Sequence, residues 1–64
     1  MYYVIDTTSG GYYTGRAGDW SRVIMADPSE AFGYETEEAA QRKADTLNSG
    51  RLLHGRKFEV VYNG

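Results

Sequence analysis

The sequence predicts an α+β domain, in which a three- or four-stranded, mainly antiparallel sheet carries one helix on one face. Three observations lead to this prediction. Two tyrosine-rich segments flank a glycine turn near the start of the chain, a later segment has its apolar residues at helical spacing, and a β-branched and aromatic segment comes last. The expected order is strand, strand, an optional third strand, helix, strand. A sheet with one helix across it is the simplest way to give each element a buried face.

The first two strands are predicted to form a hairpin. Residues 2–7 are mostly β-branched or aromatic, and Ser9-Gly10-Gly11 suits a tight turn because glycine adopts positive φ without steric cost. The second strand is expected to begin at Tyr12, after a loop of two or four residues. Alternation along the first strand separates two sets of side chains. Tyr3 and Ile5 are expected on one face, and the opposite face is expected to carry Tyr2, Val4 and Asp6.

The segment after the hairpin has two interpretations. Residues 22–25 form a short apolar run that fits a third strand or a helical turn. Trp20, just before it, is expected in the core, because a small chain needs its largest side chain inside. Asp27 is predicted to cap a helical turn that begins at Pro28 and is stopped by Gly33.

The main helix is predicted to begin after Thr36 as its N-cap and to end at residues 48–50. Its sheet-facing stripe consists mainly of small side chains. The stripe contains Ala40, Lys43, Ala44 and Leu47, and Ala39 is expected to widen it. Residues 51–55 are expected to form a loop, and residues 57–62 the last strand. That strand is expected to turn three side chains toward the helix, namely Phe58, Val60 and Tyr62.

Composition limits the possible architectures and the possible classes of protein. The 64 residues are expected to form one domain, residues 1–64, and they include no cysteine and one histidine. Disulfides and thiolate metal sites are therefore excluded, and no metal or cofactor is expected. A core this small is often supplemented by a partner, so a homodimer is one expectation. The chain has no apolar run long enough to span a membrane and no signal-peptide pattern at its start, which together predict a cytoplasmic location.

No group of residues in the sequence predicts catalysis. His54 is the only imidazole, and it lies in the predicted loop. Glu37 and Glu38 are adjacent on a helix and therefore point in different directions. The glycine-rich segments 9–11 and 15–18 match turns better than a phosphate-binding loop. We therefore expect a protein that is not an enzyme and has no catalytic residues.

Binding to another protein is the function that the sequence favours. Aromatic residues concentrate binding energy at interfaces, and the candidates here are Tyr2, Tyr12 and Trp20, with core packing as their alternative role. The segment 27–38 has no basic residue and fits a basic partner surface. Its candidate side chains are Asp27, Glu30, Glu35 and Glu38. Helix capping is the alternative explanation for these carboxylates, because it needs no partner.

Binding to nucleic acid is the second interpretation. Sheet tyrosines can stack on bases, and several basic residues are predicted in loops or at strand ends. These basic residues are Arg16, Arg22, Arg51, Arg56 and Lys57. Residues 1–40, however, carry seven acidic and two basic residues, and the sequence pI is about 5.2. Proteins that bind nucleic acid through its phosphates are usually basic, so nucleic acid is the less favoured partner.

The layout also resembles that of small proteins encoded by phages and prophages. The resemblance is carried by the segment 11–15 (GYYTG), Trp20, the pair Ala31-Phe32, the segment 36–40 (TEEAA) and the segment 58–61 (FEVV). It covers most of the chain and includes proteins of the anti-CRISPR type. The resemblance implies a protein that binds and inhibits a bacterial host protein in the host cytoplasm, with a CRISPR effector as one candidate target. It implies no particular site residues.

Overall fold

The computed structural model describes residues 1–49 and 57–63, with Trp20 described by its backbone alone. The strands are β1 (Tyr2–Asp6), β2 (Gly11–Tyr13), β3 (Ile24–Met25) and β4 (Phe58–Tyr62). The helices are α1 (Trp20–Val23) and α2 (Glu37–Ser49), with a 3₁₀ turn at Pro28–Glu30. The predicted α+β fold is confirmed, with four strands and one main helix.

The sheet has the order β3-β2-β1-β4, and every neighbouring pair is antiparallel. The first and last strands are therefore neighbours, and α2 packs across both of them. Both interpretations of residues 22–25 are found, because the helical turn α1 ends at Val23 and the two-residue strand β3 follows directly. No helix in the described part of the chain combines the length and apolar character that a membrane span requires.

The hairpin loop has four residues, because Asp6 and Gly11 are the last paired positions. Asp6 organises this loop from a fully buried position, at 0% exposure. Its carboxylate accepts hydrogen bonds from the Thr8 N–H at 3.0 Å and the Ser9 hydroxyl at 2.9 Å. Gly10 completes the turn with a φ of 78°. The bonds to the loop help a buried carboxylate to be tolerated where it would otherwise be costly.

Gly11 is required by packing rather than by backbone conformation. A Cβ atom at this position would lie 2.5 Å from Cγ2 of Ile24, much closer than two carbon atoms can approach. The Ile24 side chain, supplied by β3, therefore occupies the space above Gly11. This contact joins the shortest strand of the sheet to the core.

The core lies between α2 and the sheet, and its buried apolar residues are Val4, Ile24, Ala40, Ala44 and Phe58. The two alanines are fully buried and let the helix backbone approach the strands closely. The predicted stripe is confirmed at these positions, with Lys43 and Leu47 half-buried beside them. The prediction for Ala39 is wrong, because its side chain is exposed. Adjacent helical residues differ by about 100° in direction, so Ala39 turns away when Ala40 faces the sheet.

Both predicted helix starts are confirmed. The Thr36 hydroxyl accepts a hydrogen bond from the Ala39 N–H at 3.2 Å, and the Asp27 carboxylate accepts one from the Ser29 N–H at 3.0 Å. These side chains pair N–H groups that the first turn of a helix leaves without partners. The predicted helix end at Gly50, the loop 51–55 and His54 lie outside the described residues.

Candidate protein interface

One face of the sheet carries none of the described helices and is lined by five apolar side chains. Val4 lies beneath α2, so its neighbours Tyr3 and Ile5 project from the opposite face. Directly paired residues of antiparallel strands project to the same side. The register therefore adds three apolar residues to this face, since Ile5 pairs with Tyr12, Tyr12 with Met25, and Tyr3 with Val61. We call this surface the helix-free face. Its residues are Tyr3, Ile5, Tyr12, Met25 and Val61.

The two tyrosines of the helix-free face contact each other. Their ring centroids lie 6.2 Å apart with an angle of 84° between the ring planes, an edge-to-face arrangement. Such a pair stabilises itself and holds both rings in place before a partner arrives. All five side chains of the helix-free face are half-buried, so their neighbours shield their flanks.

Charged residues border the helix-free face on two sides. Arg16 lies on the β3 side, with Nη1 at 3.8 Å from Sδ of Met25 and Nη2 at 2.8 Å from Oε2 of Glu30. Glu59 lies on the β4 side, paired with Ile5 in the ladder. The guanidinium of Arg16 is therefore compensated by a carboxylate, and Glu59 adds negative charge to the margin.

The three aromatic residues predicted to bind a partner occupy different places. Tyr12 lies on the helix-free face. Tyr2 lies on the helix side, half-buried against the core, with its ring centroid 4.8 Å from that of Tyr62. The Trp20 backbone lies in α1, and its side chain is outside what the structure describes.

The four acidic residues predicted to bind a partner are dispersed too. Asp27 caps the 3₁₀ turn, and the hydrogen bond from Ser29 lowers the pKa of its carboxyl group. Glu30 is ion-paired with Arg16, as described above. Glu35 is exposed between the 3₁₀ turn and α2.

Glu38 lies on the outer side of α2, where Oε1 is 2.9 Å from Nη2 of Arg42. Because α2 covers the other face of the sheet, Glu38 and Tyr12 lie on opposite sides of the molecule. The predicted acidic and aromatic residues therefore do not form one flat surface. Two of the four carboxylates are already paired with arginines that come from outside the segment 27–38.

Two exposed aromatic residues lie away from the helix-free face. Phe32 is 46% exposed and Tyr62 is 66% exposed. The Phe32 ring lies 4.8 Å from that of Tyr34, which pairs with Tyr2 beside the start of α2. Partial burial, with a contribution from Tyr13, raises the pKa of the Tyr34 hydroxyl.

Sequence reasoning missed most of the helix-free face as a binding surface. Alternation correctly separated Tyr3 and Ile5 from Val4, but only Tyr12 was singled out as a binding residue. Met25 had no signal in the sequence, since its strand has two residues and is ambiguous with a helical turn. Val61 was predicted to face away from the helix, and its proximity to Tyr3 depends on the register between the two ends of the chain.

The described residues contain no group of three or more His, Asp or Glu side chains placed to hold a metal ion. A shallow, open cleft along α2 is lined by polar and charged side chains, namely Glu37, Glu38, Gln41, Arg42 and Asp45. Comparison of the chain with protein-family models, with curated proteins and with solved structures finds no match. The geometry of the surfaces is therefore the basis for assigning a function.

Proposed function

We propose that this chain is a non-enzymatic protein-binding domain that inhibits a bacterial protein by covering part of its surface with the helix-free face. The observation that carries the proposal is the helix-free face itself. It holds two tyrosines, a methionine and two β-branched residues, all on one side of the sheet and all uncovered by the described helices. Tyrosine and methionine are enriched where proteins bind one another.

The helix-free face is suited to binding because its aromatic side chains are already ordered. Each immobilised, rotamer-rich side chain costs an interface about 0.5–1.5 kcal/mol. The edge-to-face contact between Tyr3 and Tyr12 reduces that cost, since neither ring must be ordered by the partner. The hydroxyl groups of the two tyrosines remain available for hydrogen bonds at the rim.

A protein partner is favoured over nucleic acid by the charges at the border of the face. Arg16, which contacts Met25 at this border, is paired with Glu30 at 2.8 Å, and Glu59 is acidic. A phosphate backbone that lay along the face would meet this neutralised cation and this carboxylate, although binding through phosphates depends on excess positive charge. A protein surface with basic residues around an apolar centre fits better.

The resemblance to small phage proteins supports a bacterial target, and a CRISPR effector is one candidate class. Inhibition by occlusion requires no chemistry from this chain, in keeping with the proposal that it is not an enzyme. A domain of 64 residues can cover an interface of about 800 Å² on its target, which is a standard size for specific complexes.

The test is a pull-down with the tagged, full-length chain from a lysate of bacteria that carry an active CRISPR system, with and without nuclease. A double variant, Tyr3→Ser with Tyr12→Ser, removes both rings of the helix-free face. Phe32→Ser is the matched control, because it removes an exposed aromatic ring elsewhere. We expect a near-stoichiometric protein that survives nuclease, is retained by the control and is lost with the double variant.

The captured protein is then purified, and its binding and inhibition are measured with the same variants. A loss of at least about 2 kcal/mol in binding free energy is expected for the double variant, because central aromatic residues dominate interfaces. Equal capture by all three chains would exclude the helix-free face. Capture without inhibition would reduce the proposal to binding alone.

Nucleic acid is the second candidate, and one observation favours it. Arg16 and Arg22 line the same open cleft, so two arginines lie together close to β3, the edge strand that pairs with Tyr12 of β2. Stacking of bases on tyrosine and salt-sensitive phosphate contacts would then cooperate. Fluorescence anisotropy with single-stranded RNA and DNA tests this directly. Absence of binding at low salt would exclude it.

A further inference from the structure

The outer edge of β4 has backbone groups available for pairing. In an antiparallel ladder, alternate residues direct both backbone groups to the neighbouring strand. Lys57 and Asn63 bond to β1, through Lys57 O to Thr7 N at 2.9 Å and Asn63 N to Met1 O at 3.0 Å. The even-numbered residues of β4 therefore direct their groups outward, on the side where the described residues form no further strand. These residues are Phe58, Val60 and Tyr62.

Asn48 occupies the first part of this edge. Its side-chain oxygen accepts a hydrogen bond from the Phe58 N–H at 2.7 Å, and its side-chain nitrogen donates one to the Phe58 carbonyl at 3.1 Å. The amide thus pairs with the strand as a neighbouring backbone would. In the part of the chain that the structure describes, the outward N–H and C=O groups of Val60 and Tyr62 have no such partner.

Edges of this kind are usually protected, because they recruit other strands. Lysine, proline and bulges are the common protective features. The segment 58–62 contains neither lysine nor proline, its one charged residue is Glu59, and its pairing with β1 is continuous from Tyr2 to Asp6. The available part of the β4 edge is therefore an open position for a fifth strand.

A polar row of α2 runs beside this edge. Asn48 marks the side of the helix that faces the edge, and residues spaced by three or four positions share one side. The row consists of Glu37, Gln41, Asp45 and Asn48. Gln41 and Asp45 are neighbours in space, with Nε2 of Gln41 2.9 Å from Oδ1 of Asp45. Lys43 lies on the other side of the helix, over the Tyr13 ring of β2.

The row lies at the level of Val60 and Tyr62. The start of α2 lies at the level of Tyr62 along the strands, because Tyr34, shortly before the helix, pairs with Tyr2, whose neighbour on the other side is Tyr62. The seven residues from Gln41 to Asn48 span about 10 Å of helix, the length of about three strand residues. Since Asn48 lies beside Phe58, this spacing places Gln41 at the level of the available part of the edge, with Glu37 and Asp45 to either side. The row itself supplies two carboxylates and no cation, and Arg42, which lines the same cleft, is ion-paired with Glu38.

We propose that the β4 edge binds an extended, basic segment of another protein as an added strand. Its backbone exchanges hydrogen bonds with Val60 and Tyr62, and lysine or arginine side chains at alternate positions reach Glu37 and Asp45. A second copy of this chain fits less well, because β4 pairing with β4 would bring two acidic rows together. This inference is independent of the proposed function, since none of these residues belongs to the helix-free face.

The probe is a blocked six-residue peptide in which lysine alternates with threonine, and its matched control alternates glutamate with threonine. Each is titrated at low salt into the ¹⁵N-labelled, full-length chain. The basic peptide is expected to shift the amide signals of Val60 and Tyr62 saturably and to slow their hydrogen exchange. The shifts should weaken as salt increases, because exposed charges are screened. The acidic peptide is expected to have no such effect.

Two pairs of variants locate the site. Tyr62→Pro removes an outward N–H that has no partner in the described chain, and should weaken binding about tenfold relative to Tyr62→Ala, which keeps the N–H. Asp45→Asn should weaken binding about two- to threefold, whereas Asp19→Asn, an equal charge change on an exposed residue elsewhere, should not. If Tyr62→Pro fails to fold, a basic peptide N-methylated at alternate residues tests the same hydrogen bonds on the unaltered chain.

Three results would each overturn the proposal. The acidic peptide could bind as well as the basic one, the N-methylated peptide could bind as tightly as the unmodified one, or the shifts could fall only outside β4 and α2. Analytical ultracentrifugation of the chain without peptide tests whether a second copy of the chain occupies the edge. A dimer that is abolished by Tyr62→Pro and retained by Tyr62→Ala would assign the edge to a second copy instead.

Discussion

The two faces of the sheet are built from neighbouring residues of the same strands, yet they differ in burial. Val4 and Phe58, beneath α2, are 0% and 2% exposed. Their neighbours along the strands, Tyr3 and Glu59, are half-buried and exposed on the other face. The comparison separates two uses of apolar surface, since one face holds the helix and the other is available to a partner.

The two faces of the sheet are packed in different ways for a physical reason. The helix contributes Ala40 and Ala44 to the core, so its backbone lies close to the sheet and small side chains suffice. The helix-free face instead carries large side chains that pack sideways on one another, as Tyr3 and Tyr12 do. Stability is therefore expected to depend mainly on the first face, and binding mainly on the second. Three predictions test this division.

The largest effect is expected from Phe58→Ala on the helix-covered face. Removal of a buried aromatic ring costs about 3–5 kcal/mol, which is a large share of the stability of a domain this size, about 3–10 kcal/mol. Urea denaturation followed by circular dichroism measures the loss. Phe32→Ala, at a ring that is 46% exposed, is the control and should cost much less. A small loss of unfolding free energy in Phe58→Ala would contradict the packing of α2 on this ring.

A smaller loss is expected from Gly11→Ala, where a new methyl group meets Ile24. Overpacking of a well-filled site costs about 1–3 kcal/mol. The same substitution made in an Ile24→Ala background should cost much less, because the colliding Cγ2 is then absent. Urea denaturation of the four chains completes the cycle. Equal costs in both backgrounds would mean that backbone strain, rather than this contact, makes glycine necessary.

The smallest effect on stability is expected from Tyr12→Leu on the helix-free face. The substitution removes the edge-to-face contact with Tyr3, worth about 0.5–1.5 kcal/mol, and keeps an apolar side chain in place. The free energy of unfolding in urea should fall by no more than that amount, while affinity for the captured partner should fall further. A loss as large as that of Phe58→Ala would make the helix-free face part of the structural core.

Much of the fold could be predicted from local patterns. Alternation in residues 2–7 separated Val4 from Tyr3, and Thr36 marked the start of α2 because a hydroxyl at that position caps the first turn. These signals act over a few residues and need no tertiary contact. The candidate interface was predicted less well, since only Tyr12 of its five residues was named as a binding residue.

Most of the failures concern residues that are distant in the sequence, and Ala39 is a local exception. The segment 27–38 has no base of its own, but Arg16 reaches Glu30 in the folded chain, and Arg42 pairs with Glu38 across one helical turn. The length of the hairpin loop also depends on the register between strands. The same is true of the pairing that brings Met25 beside Tyr12 on the helix-free face.

By itself, the sequence determined the types of its main elements, the side-chain alternation within each strand and the starts of α2 and of the 3₁₀ turn, because these follow from short-range sterics and hydrogen bonding. The tertiary structure alone decided that Arg16 pairs with Glu30, which apolar side chains meet on the helix-free face and which backbone groups of β4 point away from β1. These properties arise when strands from opposite ends of the chain align. A shift of one residue in that alignment would exchange the two faces of a strand.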